Sequence, residues 1–206
     1  MSTLLFIHGW GFDGGVWSDV LAGLEDFPCA VADLGFFGRP SLPEVERPLV
    51  IGHSMGFAWA LANLPRPWAG AVAVNAFPRF VAGDGYVGVP GERLAAMRRQ
   101  FAEDPAKTTA TFLARCGVAE PNLADLDDAI LGDALAWLEG CDQRDALAAL
   151  DCPLAVLSGG ADPVVRDAMS RAGFAGHDLT MVEGAGHLLP LTHAAAVTAA
   201  IRSLGP

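Results

Sequence analysis

The chain has 206 residues, 52% of them apolar and 18% charged, which is enough to bury one full-sized core and too hydrophobic for a disordered polymer. Four cysteines exclude a disulfide-dense scaffold, and 13 basic against 24 acidic residues leave a net charge of −11. That charge repels a phosphate backbone and argues against nucleic acid as a partner. Cys29, Cys116, Cys141 and Cys152 form no C-x-x-C pair and read as buried or incidental thiols, not as a metal site. Met1 to Ile7 show no basic region and no cleavage site, so they read as mature protein. No window holds the roughly 18 uninterrupted apolar residues of a membrane span, and the expectation is a cytoplasmic monomer that meets no membrane.

Short apolar runs alternate with helix-like segments, the pattern of an α/β fold with a mostly parallel sheet of about six strands and helices on both faces. Leu4 to Ile7 is the first strand, followed by the glycine-rich loop His8-Gly9-Trp10-Gly11, and Cys29 to Ala32 is the second. Residues 35–48 are too short and too Pro-rich for an intervening helix. Leu49 to Ile51 then leads into a helix over Ser54 to Leu64, closed by Pro65, and Ala69 to Val74 is the fourth strand. The last two strands are Leu154 to Leu157 and Leu179 to Val182, with helices over Arg166 to Phe174 and Ala194 to Leu204.

Between Val74 and Leu154 lie 79 residues, far more than a parallel crossover requires. Leu94, Met97 and Phe101 share one helical face, Phe112, Leu113 and Cys116 another, and Leu123, Leu126, Ile130, Leu131, Leu135 and Leu138 recur beyond them. The spacing predicts three or four short helices. Residues 1–75 and 150–206 are expected to form the core, and residues 76–149 a helical lid inserted before the last two strands.

The strongest local signal is Gly52-His53-Ser54-Met55-Gly56, a G-x-S-x-G placed between a strand and a helix. Flanking glycines let the chain turn sharply enough to hold a hydroxyl above the sheet, with a helix N-terminus behind it. Ser54 is therefore the candidate nucleophile; the alternative is a plain strand-to-helix turn. A serine hydroxyl needs a base, and the base needs a carboxylate to orient it. Asp162 and His187 follow the last two strands, whose carboxyl ends share an edge with that of the Ser54 strand. Asp162 otherwise reads as a turn residue or helix N-cap, and His187 as a surface histidine. The amides of Trp10 and Met55 are the candidate oxyanion donors, with His8 bracing their loop. His53 reads as packing support pointing away from the hydroxyl, and His177 and His193 as solvent or helix-start residues. No metal or organic cofactor is implied, because the hydroxyl requires only a neighbouring base.

These residues, together with Asp33 to Arg39, Phe77-Pro78-Arg79-Phe80, Asp142-Gln143-Arg144 and Leu150 to Pro153, resemble the α/β-hydrolase superfamily across almost the whole chain. Within it they are similar to the carboxylesterases of biotin synthesis that demethylate pimeloyl-acyl-carrier-protein methyl ester. The resemblance implies hydrolysis of that ester through an acyl-enzyme. Alternatives are a general esterase, a thioesterase, a carbon–carbon bond hydrolase, or a ligand-binding protein without turnover. Such esterases usually carry a leading hairpin, so a sheet trimmed of two edge strands is expected. Phe57, where a second glycine often follows the elbow, is expected to narrow the pocket or tilt the helix.

Residues 79–118 hold six basic and four acidic residues against the acidic background, so the lid carries a positive field toward an acidic carrier protein. Arg93, Arg98 and Arg99 are the candidate carrier contacts; solvated helix faces are the alternative. Trp10, Phe77 and Phe80 are the candidate substrate contacts for a small acyl ester.

Overall fold

A run such as Leu4-Leu5-Phe6-Ile7 has no polar face to turn toward water, so it pairs in the interior of a sheet covered on both sides. The computed structural model describes residues 1–205. It contains β1 (Leu4–Ile7), β2 (Cys29–Ala32), β3 (Leu49–His53), β4 (Gly70–Val74), β5 (Leu154–Gly159) and β6 (Leu179–Val182). All neighbours are parallel, in the order β2-β1-β3-β4-β5-β6. Alternate residues feed two cores. Leu4, Phe6, Leu49, Ile51, Val72 and Val74 face one side, where α1 (Ser18–Ala22) and α9 (Ala194–Ser203) lie. Leu5, Ile7, Val50, Ala71 and Ala73 face the other, beneath α2 (Met55–Asn63). Each fully buried Leu, Ile or Phe contributes about 1.5–3 kcal/mol, so strands only four to six residues long are held by these two layers.

Two short elements escaped the sequence pattern because neither completes enough turns to show a period. One is a 3₁₀ turn over Gly14–Trp17, capped by Asp13 accepting from the Gly15 amide at 2.7 Å, which runs into α1. The other, α8 (Leu189–Thr192), sits between His187 and α9. No helix forms between β2 and β3, as expected of residues 35–48. The helix after β3 begins at Met55, not Ser54, because Ser54 has φ 54° and ψ −124°.

Between β4 and β5 the chain builds α3 (Gly91–Glu103), α4 (Pro105–Cys116), α5 (Asp128–Gly140) and α6 (Arg144–Ala148); α7 (Asp167–Gly173) follows β5. Asp104 caps α4 by accepting from the Lys107 amide, with Pro105 at the first position, and Gly117, at φ 107°, ends it. Leu94, Phe101, Leu131, Leu135 and Leu138 pack with Trp10, Phe36, Met55 and Phe77 in a third core over the strand ends. The neck of the insert is closed by hydrogen bonds. The Gln143 amide donates to the Pro78 carbonyl at 2.8 Å, Arg79 pairs with Asp142 at 3.2 Å, and Tyr86 donates to the Arg79 carbonyl at 2.9 Å. Among the described residues no helix is long and apolar enough to cross a membrane.

Candidate active site

The elbow is forced by close packing. A side-chain carbon on Gly56 would run into the carbonyls of Ile7 and His8, so only glycine lets α2 leave β3 this close to β1. Ser54 is left in a backbone conformation that costs about 1–3 kcal/mol, and the residue is 5% exposed. Gly9 serves the loop after β1 in the same way: a Cβ there would lie 2.8 Å from the Cβ of Ser54.

Three side chains from distant stretches meet at this edge. His187 Nε2 lies 3.1 Å from Ser54 Oγ, and His187 Nδ1 lies 2.7 Å from Asp162 Oδ2. The imidazole and the carboxylate are both fully buried. Asp162 uses its other oxygen as the turn reading anticipated, accepting from the amides of Val164 at 2.7 Å and Val165 at 2.9 Å. A carboxylate oxygen accepts only, so Nδ1 carries the hydrogen and the Nε2 lone pair faces the serine hydroxyl. The arrangement can move a proton from that hydroxyl to the imidazole.

The backbone amides of Trp10 and Met55 have no acceptor among the described residues, and Met55 opens α2, where the helix dipole adds positive potential. His8 braces the Trp10 loop: its Nδ1–H donates to the Gly9 carbonyl at 3.0 Å, and its Nε2 accepts from the Leu34 amide at 2.9 Å. His53 is fully buried, and its Nε2–H donates to the His187 carbonyl at 2.9 Å, away from the hydroxyl. Burial, then the proximity of His187, hold its pKa well below the usual imidazole value. His193 precedes α9 and bonds the Thr192 hydroxyl, and His177 is exposed. Burial, reinforced by the nearby Asp162 charge, raises the Cys116 thiol far out of the reactive range. Among the described residues no three His, Cys, Asp or Glu side chains gather as a metal site would require.

A cleft of about 880 Å³ opens between α3, α4 and the segment that follows Asp162. Phe80, Leu94, Met97, Phe112, Val164 and Met169 form its apolar wall, and Arg93, Lys107, Arg115 and Arg166 stand around it, outnumbering the carboxylates of Glu103 and Asp104. Ser54 and His187 do not line it. The half-buried Phe112 ring is shared by both places, lining the cleft while lying 5.0 Å from the Trp10 ring and 6.4 Å from His187.

Several expectations are corrected here. The Trp10 side chain is not a cleft wall; its indole N–H is tied to the Leu131 carbonyl at 2.9 Å in the core beneath the insert. Phe77 is 1% exposed and backs Phe80 at 4.9 Å, so only Phe80 of that pair reaches the cleft. Arg98 is engaged by Glu139 of α5, and Arg99 is exposed off the cleft; of the three arginines only Arg93 lines it. Phe57 packs against Phe174 at 5.9 Å in the core under α2, so it does not narrow the cleft. Lys107, Arg115 and Arg166 were not singled out from the sequence as cleft residues, although the helical face of 105–116 carried the signal for the first two. Asn75 gave no local signal at all.

Residues 42–201 match the alpha/beta hydrolase family. The chain is 32% identical to the biotin biosynthesis bifunctional protein BioHC of Cellvibrio japonicus, covering 90% of this chain and 44% of that protein, so it spans less than half of that relative. It is 27% identical to the pimeloyl-(acyl-carrier protein) methyl ester esterase of Yersinia pseudotuberculosis, covering 79% of this chain and 76% of that one. An esterase from Exiguobacterium antarcticum superposes with a TM-score of 0.83 over 98% of this chain and 91% of its own, at 18% identity, a likeness of fold. With its elbow at the end of β3 and the family match running through β3 to α9, this chain belongs to the alpha/beta hydrolase family.

Proposed function

We propose that the chain is a serine carboxylesterase that hydrolyses a carboxylic ester through an acyl-enzyme. The observation that carries this reading is the unbroken path from Ser54 Oγ through His187 to Asp162, at 3.1 and 2.7 Å. His187 Nε2 takes the hydroxyl proton as Oγ attacks the ester carbonyl, and Asp162 stabilises the imidazolium that forms. The amides of Trp10 and Met55 receive the oxyanion. The imidazolium then gives its proton to the departing alkoxide, leaving the acyl group on Ser54. Water deprotonated by His187 attacks that ester in turn and restores the hydroxyl. No step calls for a metal or a cofactor.

The substrate we propose is pimeloyl-acyl-carrier-protein methyl ester, which the name of the Yersinia relative carries, in the biotin biosynthesis that the name of the Cellvibrio relative carries. The apolar cleft with cations at its border supports an amphipathic acyl ester presented on an acidic carrier. In this reading residues 76–149 act as the lid. Arg93, with Lys107, Arg115 and Arg166, meets the carrier or its phosphopantetheine, in place of Arg98 and Arg99.

Ser54→Ala is expected to lose about 10⁴-fold or more of turnover with its Tm unchanged. Retained hydrolysis of p-nitrophenyl acetate by that variant overturns the esterase reading. Complementation of a biotin-requiring strain lacking its own esterase tests the substrate; growth that depends on Ser54 supports it. Failure to grow, by a protein that still hydrolyses free esters, leaves a general esterase.

A further inference from the structure

Two buried polar side chains lie outside the proton path, and both end on the loop that carries His187. His53 closes β3 and donates from Nε2 to the His187 carbonyl at 2.9 Å. Asn75 follows β4, is fully buried, and adopts φ 47°, a left-handed conformation that Asn tolerates better than most residues. Its amide spans two loops. Oδ1 accepts from the Gly159 amide at 2.7 Å, at the start of the segment leading to Asp162. Nδ2 donates to the Gly186 carbonyl at 2.8 Å.

The carbonyls of consecutive residues, 186 and 187, are thus held from two adjacent strand ends. The backbone ties the same ends to the serine: the Ser54 amide donates to the Val74 carbonyl at 3.0 Å, and the Asn75 amide to the Leu157 carbonyl at 2.8 Å. The held segment needs such restraint. It reads Gly184-Ala185-Gly186, with Gly184 at φ 71° and nothing close to where a side chain of either glycine would stand, so its backbone has much freedom to lose. A base displaced by 1 Å can cost about a hundredfold in rate.

We propose that Asn75 and His53 are positioning residues that act through the carbonyls of Gly186 and His187 to hold the imidazole against Ser54 Oγ. Neither takes part in proton transfer. The inference rests on the esterase reading above. His53 bonds a carbonyl, which accepts only, and its Nδ1 has no hydrogen-bond partner among the described residues, so it is the neutral Nε2–H form. The groups packed against it are the rings of His187 at 4.9 Å, Phe12 at 5.4 Å and Trp17 at 6.2 Å, and the nearby His8.

The test compares His53→Phe, His53→Gln and Asn75→Asp, each assayed well below its own Tm. His53→Phe keeps a ring and loses the donor; it is expected to lower kcat about 10- to 100-fold with KM within about twofold. His53→Gln has an amide N–H that can reach the same carbonyl and should recover most of that loss. Asn75→Asp keeps the acceptor for Gly159, sets a carboxylate oxygen on the Gly186 carbonyl, and should fall as His53→Phe does. A purely structural pair would lower Tm without these rate changes. The proposal is overturned if kcat of His53→Phe stays within about threefold of the parent, or if Gln rescues no better than Phe. Should His53→Phe not fold, ¹⁵N-histidine NMR of the unaltered protein serves. His53 is expected as the neutral Nε2–H tautomer above about pH 7, and the Nδ1–H tautomer there overturns the clamp. Fluorophosphonate labelling of the unaltered protein separates the two claims. No labelling at Ser54 sinks the esterase reading, whereas normal labelling with unchanged rates in all three variants sinks only the clamp.

Discussion

At the carboxyl edge of the sheet, buried polar groups are bonded across long stretches of chain: Asn75 reaches residues 84 and 111 positions away, and His53 one 134 away. In the insert above it, the charged side chains of α3 and α4 face solvent or an open cleft, and where they pair, as Arg98 does with Glu139, the partners are exposed. The difference teaches where each kind of function belongs. Bonds inside a packed, low-dielectric region hold atoms to fractions of an ångström, which proton transfer requires. Exposed charges on helices are screened and adaptable, which suits attraction of a partner more than chemistry.

The sharpest way to break this division is Asp162→Asn. An amide in that place offers a donor to Nδ1 and favours the tautomer that points a hydrogen, not a lone pair, at Ser54. We expect kcat to fall about 10³- to 10⁴-fold with near-UV circular dichroism and Tm little altered. A loss below tenfold would mean that the edge does not govern the chemistry. A smaller effect is expected from the insert. Replacing Arg93 and Lys107 together by Glu should raise KM for a carrier-bound ester about tenfold at low salt, with kcat little changed, and the effect should shrink as ionic strength rises. A fall in kcat with KM constant would place the insert inside the chemistry and end the division.

The smallest effect concerns stability. Because His53 is held neutral in the folded protein, with its pKa lowered chiefly by burial, the unfolded chain takes up a proton there first. Its contribution is fully present above about pH 6.5 and is lost as pH falls below that value. The slope is about 1.4 kcal/mol per pH unit from this one group. Denaturant unfolding of His53→Gln should show a flatter decline on acidification than the parent. Identical slopes would mean that His53 accepts its proton without leaving the fold.

The inner strands were legible because sequences buried on both faces carry no polar alternation to confuse them, and the elbow because its G-x-S-x-G pattern is complete within five residues. Ser54, Asp162 and His187 could be placed on one edge from strand order alone. Phe77 and Phe80 could not be told apart in this way: two residues separate them, and only the path of the chain into the neck puts one in the core and the other on the cleft. The place of the Trp10 side chain was not legible, because its indole partner is a carbonyl 121 residues later. Asn75 was invisible for the same reason, since nothing in Val74-Asn75-Ala76 announces two bonds to loops beyond the insert.

Arg79, Asp142 and the Gln143 amide fasten the two ends of the insert to each other before either rejoins the sheet. The chain of the insert therefore enters and leaves through one short, self-closed stem, and a change in its length alters little in the spacing of β4 and β5. Such a stem makes the segment exchangeable as a cassette: a differently shaped cap could be grafted there to accept another acyl group while the proton path beneath stays as it is.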